Sequence, residues 1–516
     1  MGQNSLIRGY FSPRTAASAP VMLCRTAPES DEGDGVVADT GAFSIDLPLM
    51  STVTADLESL VSSGGSALSE LGSLAVGAAI FGEIGSMVGS VNGQLHENLV
   101  SSLTSGLGLF GTLNGAVQCC ASDYASLDTM VSDSFGSLGL GGSLPSTPVA
   151  GTSPADVNKW WTGLSSDQRA ALVASEPAKI GALDGVPDTV RDSANRTVLS
   201  NLQKQTQQQI TDLKNTQTLP FADDPMVAAM QQKQITELQG KLDGMNEVQK
   251  VLANGGTNGT PQKYLLEVDT NGVGHSIIAS GNPDTADNVV TVVPGVSTDL
   301  SVGSVDAYTK GADAIVASAH NADPAQTTSA VAWMDYNAPA TVPGALFSGP
   351  AHAGGPVLDN FQQGLYATHD PSDPLHTTVI GHSYGTTVVG EATQAPGGLR
   401  ADDVVLAASP GINVDNAAAM NVPGGTAHVW ATRDDNDPIV WAEGFHDTDP
   451  VTPAFGAHVF NGGVGPSGLV AAHDYYFDPT SPAMANFGQI ATGHYNQVTS
   501  PPPVKPDPSW SYPMFE

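Results

Sequence analysis

The chain has 516 residues, of which 40% are hydrophobic, enough for about two or three domains and at least one large core. Its 52 acidic and 18 basic residues leave a formal net charge of −34. Phosphate backbones and anionic lipid surfaces would be repelled at every approach, so the balance excludes a nucleic-acid binder and favours a soluble, acidic protein.

In chain order, the stretch before Cys24 lacks both the basic start and the long apolar core of a cleavable signal. Cytoplasmic residence and export without such a signal are the two destinations this leaves. Cys24, Cys119 and Cys120 cannot make a disulfide framework, since the last two are adjacent and would bridge only under strain, and no metal-ligand spacing surrounds them. Residues 1–144 are rich in Ser, Gly, Leu and Ala. Leu57, Leu60 and Val61, and then Leu95, Leu99, Val100 and Leu103, fall at helical spacing and predict a helical hairpin, a candidate surface for a protein partner. Between them, Leu74 to Val91 only reaches the lower limit for a membrane span. Glu83 near its middle costs roughly 2.5 kcal/mol or more on insertion scales, so a Gly-rich buried helix or loop is expected and no transmembrane span. Residues 145–154, with Pro, Ser and Gly, read as a linker.

Residues 155–260 read as helical. Ser165 and Ser166 with Asp167 start a helix that runs through Leu172, and Pro177 marks the next break. Residues 198–217 and 226–252 predict two longer helices, paired through the turn "TLPFADDP". Ile235, Leu238, Leu242, Met245, Val248 and Leu252, at steps of three and four, form a packing face. After "ANGGTNGTPQ" the texture changes. "YLLEVD" and "HSIIAS" around "TNGVG" predict a β-hairpin. The runs "NVVTVVPG", "SAVAWMDY", "HTTVIGH", "DDVVLAASPG" and "AHVWATRDD" then predict parallel strands buried on both faces, and so an α/β domain over residues 261–500. Residues 501–516 form a Pro-rich tail.

"GHSYG", Gly381 to Gly385, is the stretch with chemistry. In a chain with 57 glycines, chance alone supplies on the order of half a G-x-S-x-G match, so only context gives it meaning. Here a predicted strand precedes it and a predicted helix follows, the arrangement of a nucleophile elbow that thrusts the hydroxyl of Ser383 out at the strand's carboxyl end. A serine hydroxyl needs a base and the base an orienting acid, which follow in the order acid, then histidine. "ATRDDNDPIV" offers Asp434, Asp435 and Asp437; Asp437, with a proline opening the turn, is preferred and Asp434 is second. The histidines after Ser383 are His428, His446, His458, His473 and His494, of which His428 begins a strand and comes too early. His473 in "GLVAAHDYYFD" stands where a base is needed after the last strand, and His494 is its rival. Oxyanion donors are expected from the N–H of Tyr384 and from Val296 and Ser297 in "VVPGVSTDL", where Gly295 permits a sharp turn. This chemistry requires no metal and no organic cofactor.

The blocks "NPDTADNVVTVVPGVSTDLS", "AVAWMDYNAP", "TTVIGHSYGTTVVGEA" and "AHDYYFDPTSPAMANFGQIATG" together resemble a bacterial α/β-hydrolase family known mainly as a domain of unknown function. Residues beginning "VNKWWTGLSSDQRAALV" are similar to the region preceding the hydrolase domain in such proteins, so the resemblance covers roughly residues 155–495. It implies an α/β-hydrolase fold with a mostly parallel central sheet, Ser383 as nucleophile, His473 as the histidine and Asp437 in the acid loop. G-H-S-x-G is similar to the elbow of many lipases and esterases, which implies a small-molecule or lipid ester as substrate, although peptidases and thioesterases share the fold. The helices of residues 155–260 are then expected to pack beside the hydrolase domain or cap it. The N-terminal hairpin resembles those of proteins exported by specialised Gram-positive secretion systems, but the Trp-x-Gly at Trp161 to Gly163 lies outside the predicted hairpin turn. The rival function is an exported interaction or effector protein that uses the hydrolase fold as a scaffold.

Overall fold

The computed structural model describes residues 144–502, apart from residues 150, 217–224, 258 and 443. The expected N-terminal hairpin, the Leu74 to Val91 segment and all but the first two residues of the Pro-rich tail lie outside the described residues.

Five helices come first. α1 (Pro154–Gly163) starts where Ser153 accepts the N–H of Asp156, and α2 (Ser166–Ser175) where Ser165 and Gln168 satisfy each other's backbone N–H groups in a capping box. The break expected at Pro177 is found: α2 ends at Ser175, and the proline opens the short α3 (Pro177–Gly181), because a missing N–H costs nothing in a first turn. α4 (Asp188–Thr216) begins well before residue 198. Its cap comes from far along the chain: the Asp284 carboxylate accepts the N–H groups of Asp188 and Thr189 at 2.8 and 3.0 Å. α5 (Pro225–Asn254) packs on α4, and its expected stripe is core. Ile235, Leu242, Met245, Val248 and Leu252 close against Leu265, Val268, Ile278 and Met334 of the sheet. Among the described residues no helix is long and apolar enough to cross a membrane.

The sheet is built from β1 (Lys263–Asp269), β2 (His275–Ser280), β3 (Asn288–Val293), β4 (Thr328–Met334), β5 (His376–His382), β6 (Asp403–Ala407), β7 (Val429–Thr432) and β8 (His458–Val459). Its order is β1-β2-β4-β3-β5-β6-β7-β8. The hairpin β1–β2 is antiparallel and β2 runs antiparallel to β4, while every pair from β4 through β8 is parallel. β3 and β6 are buried along their whole length, as the unbroken Val runs require of strands covered on both faces. β8, two residues long, was too short to leave a pattern in the sequence.

Helices cover both faces. α7 (Gly349–Thr368) and α8 (Gly385–Thr393) supply Leu358, Phe361, Val388 and Val389 to one core; α6 (Val302–Ala322) and α10 (Pro482–Ala491) supply Ala312, Ile315, Phe487 and Ile490 to the other. This is an α/β-hydrolase fold, with α4 and α5 set against the β1 edge of the sheet.

The elbow glycines are explained by how closely α8 lies on the sheet. A Cβ at Gly385 would stand 2.1 Å from the Val293 carbonyl oxygen, and one at Gly381 would stand 2.7 Å from Thr386 Cα. Both obstacles are backbone atoms that cannot move aside alone. Gly385→Ala is therefore expected to lower stability by about 1–3 kcal/mol. Denaturant titration would show it as a reduced midpoint; an unchanged midpoint would refute this account of the packing.

Candidate active site

Ser383 leaves β5 in the left-handed region, with φ of 55°. Its N–H donates to Ala407 of β6 at 3.0 Å, and its carbonyl accepts the N–H and hydroxyl of Thr386 at 3.0 and 2.7 Å. The strained conformation is thus held from both sides. Two other non-glycine residues after neighbouring strands share it: Ser297 beyond β3, with φ of 62°, and Ala408 beyond β6, with φ of 54°.

The loop after β3 lies along the serine. A Cβ at Gly295 would come within 2.7 Å of Ser383 Cβ and 3.1 Å of its Oγ, so only glycine permits this approach. The loop is pinned by the Tyr336 hydroxyl on the Pro294 carbonyl at 2.7 Å and by Thr298 Oγ1 on the Gly295 carbonyl at 2.9 Å. Among the described residues, the N–H groups of Val296 and Tyr384 meet no acceptor. Ser297 is a correction to the expected donor pair. Its N–H is already spent on the Pro339 carbonyl at 2.8 Å, and its hydroxyl donates to the Ala340 carbonyl at 3.0 Å.

Asp437, at the turn beyond β7, is 2% exposed. Its Oδ1 accepts from His473 Nδ1 at 2.8 Å and from the Ile439 N–H at 2.9 Å, while Oδ2 accepts the Tyr476 hydroxyl at 2.6 Å. Burial pushes the Asp437 carboxyl up, but the hydrogen bonds and charge of His473, with those of Tyr476 and Ile439, hold it below the ordinary aspartate value. The acid therefore stays ionised at neutral pH. With Nδ1 given to Asp437, His473 keeps Nε2 for other work.

His473 closes the helix α9 (Leu469–His473), and His382 ties it to β5. The His382 Nε2–H donates to the His473 carbonyl at 2.8 Å, and the two rings stand 4.9 Å apart. Burial first, and then the charge of His473, push the His382 pKa down to about 3, so this residue is a neutral brace. No hydrogen bond joins Ser383 to His473 directly among the described residues. The contact between β5 and α9 runs through His382.

Neither runner-up takes part in the pairing of His473 with Asp437. Asp434 is buried, but its N–H donates to the Tyr476 hydroxyl and its Oδ1 accepts the Asn436 N–H, so it shapes the loop without meeting a histidine. His494 lies beyond α10, with Nδ1 2.9 Å from Thr492 Oγ1 and Nε2 3.8 Å from Asp323 Oδ2. Asp323 precedes β4, so this is the amino end of the parallel strands, opposite to Ser383. His446 sits on Asn413 and the Ala345 carbonyl, His428 on Asp403, and His458 against the Trp430 ring. Two residues of the site escaped the sequence reading: Tyr476, which bridges both candidate acids, and His382. The aromatic run Tyr475–Phe477, beginning two residues after His473, was the available hint for Tyr476.

One group of metal-ligand composition occurs among the described residues. Donor atoms of Asp269, His275 and Asp335 lie within 4.8 Å of one another at the β1–β2–β4 end of the sheet, where Asp269 already accepts from His275 Nδ1 at 2.9 Å.

Residues 269–445 match the model of a family described as alpha/beta hydrolase. An uncharacterized protein of Mycobacterium tuberculosis is 29% identical over 449 residues, which span 79% of this chain and 67% of that protein. An uncharacterized protein of Mycobacterium bovis is 29% identical over 175 residues, 32% of this chain and 65% of its own length. Among solved structures, a Trichoderma reesei cutinase in complex with a phosphonate inhibitor aligns over 41% of this chain and 77% of its own, at 14% identity and a TM-score of 0.25. An arylesterase aligns over 50% of this chain and 91% of its own, at 10% identity and a TM-score of 0.27.

Proposed function

From a chain that carries an α/β-hydrolase domain, we propose a serine hydrolase that cleaves carboxylic esters through an acyl-enzyme. The observation that carries the proposal is the pairing of His473 Nδ1 with the buried Asp437 carboxylate at 2.8 Å, braced through His382 to the strained turn that bears Ser383.

Ser383 Oγ attacks the ester carbonyl while His473 Nε2 takes its proton. The oxygen that gains the negative charge settles against the N–H groups of Val296 and Tyr384. As the tetrahedral intermediate collapses, His473 passes the proton to the departing alkoxide and an alcohol leaves. Water then attacks the acyl-enzyme by the same route, giving the carboxylic acid and restoring Ser383. Asp437 holds the imidazole in one tautomer and stabilises its charged form; Tyr476 and the Ile439 N–H hold Asp437.

The wild-type protein is expected to take up one fluorophosphonate label per chain and to release p-nitrophenol from p-nitrophenyl acetate in a burst followed by a slower steady state. A folded wild type that neither labels nor turns over the ester would leave the domain as an interaction scaffold.

A further inference from the structure

The large apolar side chains left exposed are unevenly placed. Val342, Phe347, Trp441, Phe445, Val464 and Val470 are each more than half exposed, and they lie on the segments that follow β4, β7 and β8. Those are the carboxyl ends of the strands, where Ser383 also stands. The segments are joined to one another and to the elbow. The Tyr384 hydroxyl donates to the Phe347 carbonyl at 2.6 Å, His446 Nε2 donates to the Ala345 carbonyl at 2.6 Å, and α9 packs on the turn Pro438–Ala442. The exposed residues thus share the carboxyl end of the sheet with the serine, on segments tied to the elbow, and make up its apolar rim.

Charge is distributed in the same sense. In a sequence that is 14% charged and carries −34 overall, no Asp, Glu, Lys or Arg occurs from residue 336 through 358 or from 450 through 473, and Glu443 stands alone between Asp437 and Asp447. A docking site for another protein carries a polar rim around its apolar centre. Here the exposed side chains of Val342, Phe347, Trp441, Phe445, Val464 and Val470 are aromatic and aliphatic, the composition that settles at the boundary of a lipid phase, with the exposed Asp435 and Asp447 at the margins of the segment after β7. The acidity of the rest of the molecule repels anionic headgroups, so the matching surface is uncharged or zwitterionic.

We infer that this rim docks on the surface of a neutral or zwitterionic acyl lipid and that the substrate of Ser383 is an ester drawn from that phase. The substrate half rests on the serine-hydrolase reading; the docking half does not.

The test uses the full chain and vesicles of phosphatidylcholine or phosphatidylserine. The wild type is expected to float with phosphatidylcholine vesicles and about tenfold less with phosphatidylserine. The double variant Trp441→Ser/Phe445→Ser is expected to lose flotation by about tenfold or more while still taking up the fluorophosphonate label. Val149→Ser, which removes an exposed apolar side chain far from the rim in sequence, is expected to float like the wild type. Ser383→Ala is also expected to float, which separates docking from chemistry. Labelling without flotation overturns the inference and leaves the hydrolase reading standing; flotation without labelling overturns the hydrolase reading and the substrate half that rests on it, and leaves only the docking half. Undiminished flotation of the double variant also overturns it. So does a dimer that the double variant dissociates, because a second copy would then be the occupant.

Discussion

Ser383→Ala is expected to abolish fluorophosphonate labelling and to lower kcat for p-nitrophenyl acetate by about a million-fold, to the level set by the oxyanion donors and binding alone. The size of the effect follows from the roles: without Oγ there is no acyl-enzyme, and His473 has no proton to accept. The variant should remain folded, since Ser383 is fixed through its backbone, by its N–H on Ala407 and its carbonyl on Thr386. Circular dichroism before the assay separates the two explanations. If the alanine variant labels like the wild type, the nucleophile lies elsewhere and the proposed mechanism fails.

His473→Ala is expected to cost nearly as much as loss of the serine, whereas His494→Ala should stay within about twofold of the wild type. Asp437→Asn should lower kcat by about ten-thousand-fold, because an amide in place of the carboxylate presents the wrong partner to Nδ1 and turns the imidazole to the wrong tautomer. Asp434→Asn is the control for burial. Its carboxylate organises the loop through the Asn436 N–H, so its loss is expected in stability rather than in kcat. Steady-state ester kinetics on the four variants decide the matter. Equal, small losses for both histidines would remove His473 from the mechanism, and a larger kcat loss at Asp434 than at Asp437 would transfer the acid's role.

Much of this arrangement was legible because it depends on local pattern. The Val runs of β3 and β6 announce strands covered on both faces, and the step from β5 into α8 around Gly381 and Gly385 carries its own steric logic. What escaped depends on partners distant in the chain. α4 begins at Asp188 because the carboxylate of Asp284 caps it, a contact across 96 residues. Ser297 looked as suitable an oxyanion donor as Val296 until Pro339, from the segment after β4, was seen to accept its N–H. Tyr476 was silent for the same reason: its hydroxyl matters through Asp434 and Asp437, about forty residues earlier. Asp437 was preferred over Asp434 for the proline that opens its turn, but its contact with His473 Nδ1 depends on side-chain direction, which spacing alone does not specify.

The left-handed turns at Ser297, Ser383 and Ala408 bear on how durable such a molecule can be. They sit at the ends of β3, β5 and β6, which are adjacent in the sheet, and each costs roughly 1–3 kcal/mol where a whole domain is commonly stable by only about 5–15 kcal/mol. Glycine at position 383 would relax one of them and remove the hydroxyl in the same change, giving a sturdier and inert protein. On the proposed mechanism, heat resistance and turnover therefore compete at a single residue, and Ser383→Gly is expected to raise the melting temperature while abolishing fluorophosphonate labelling.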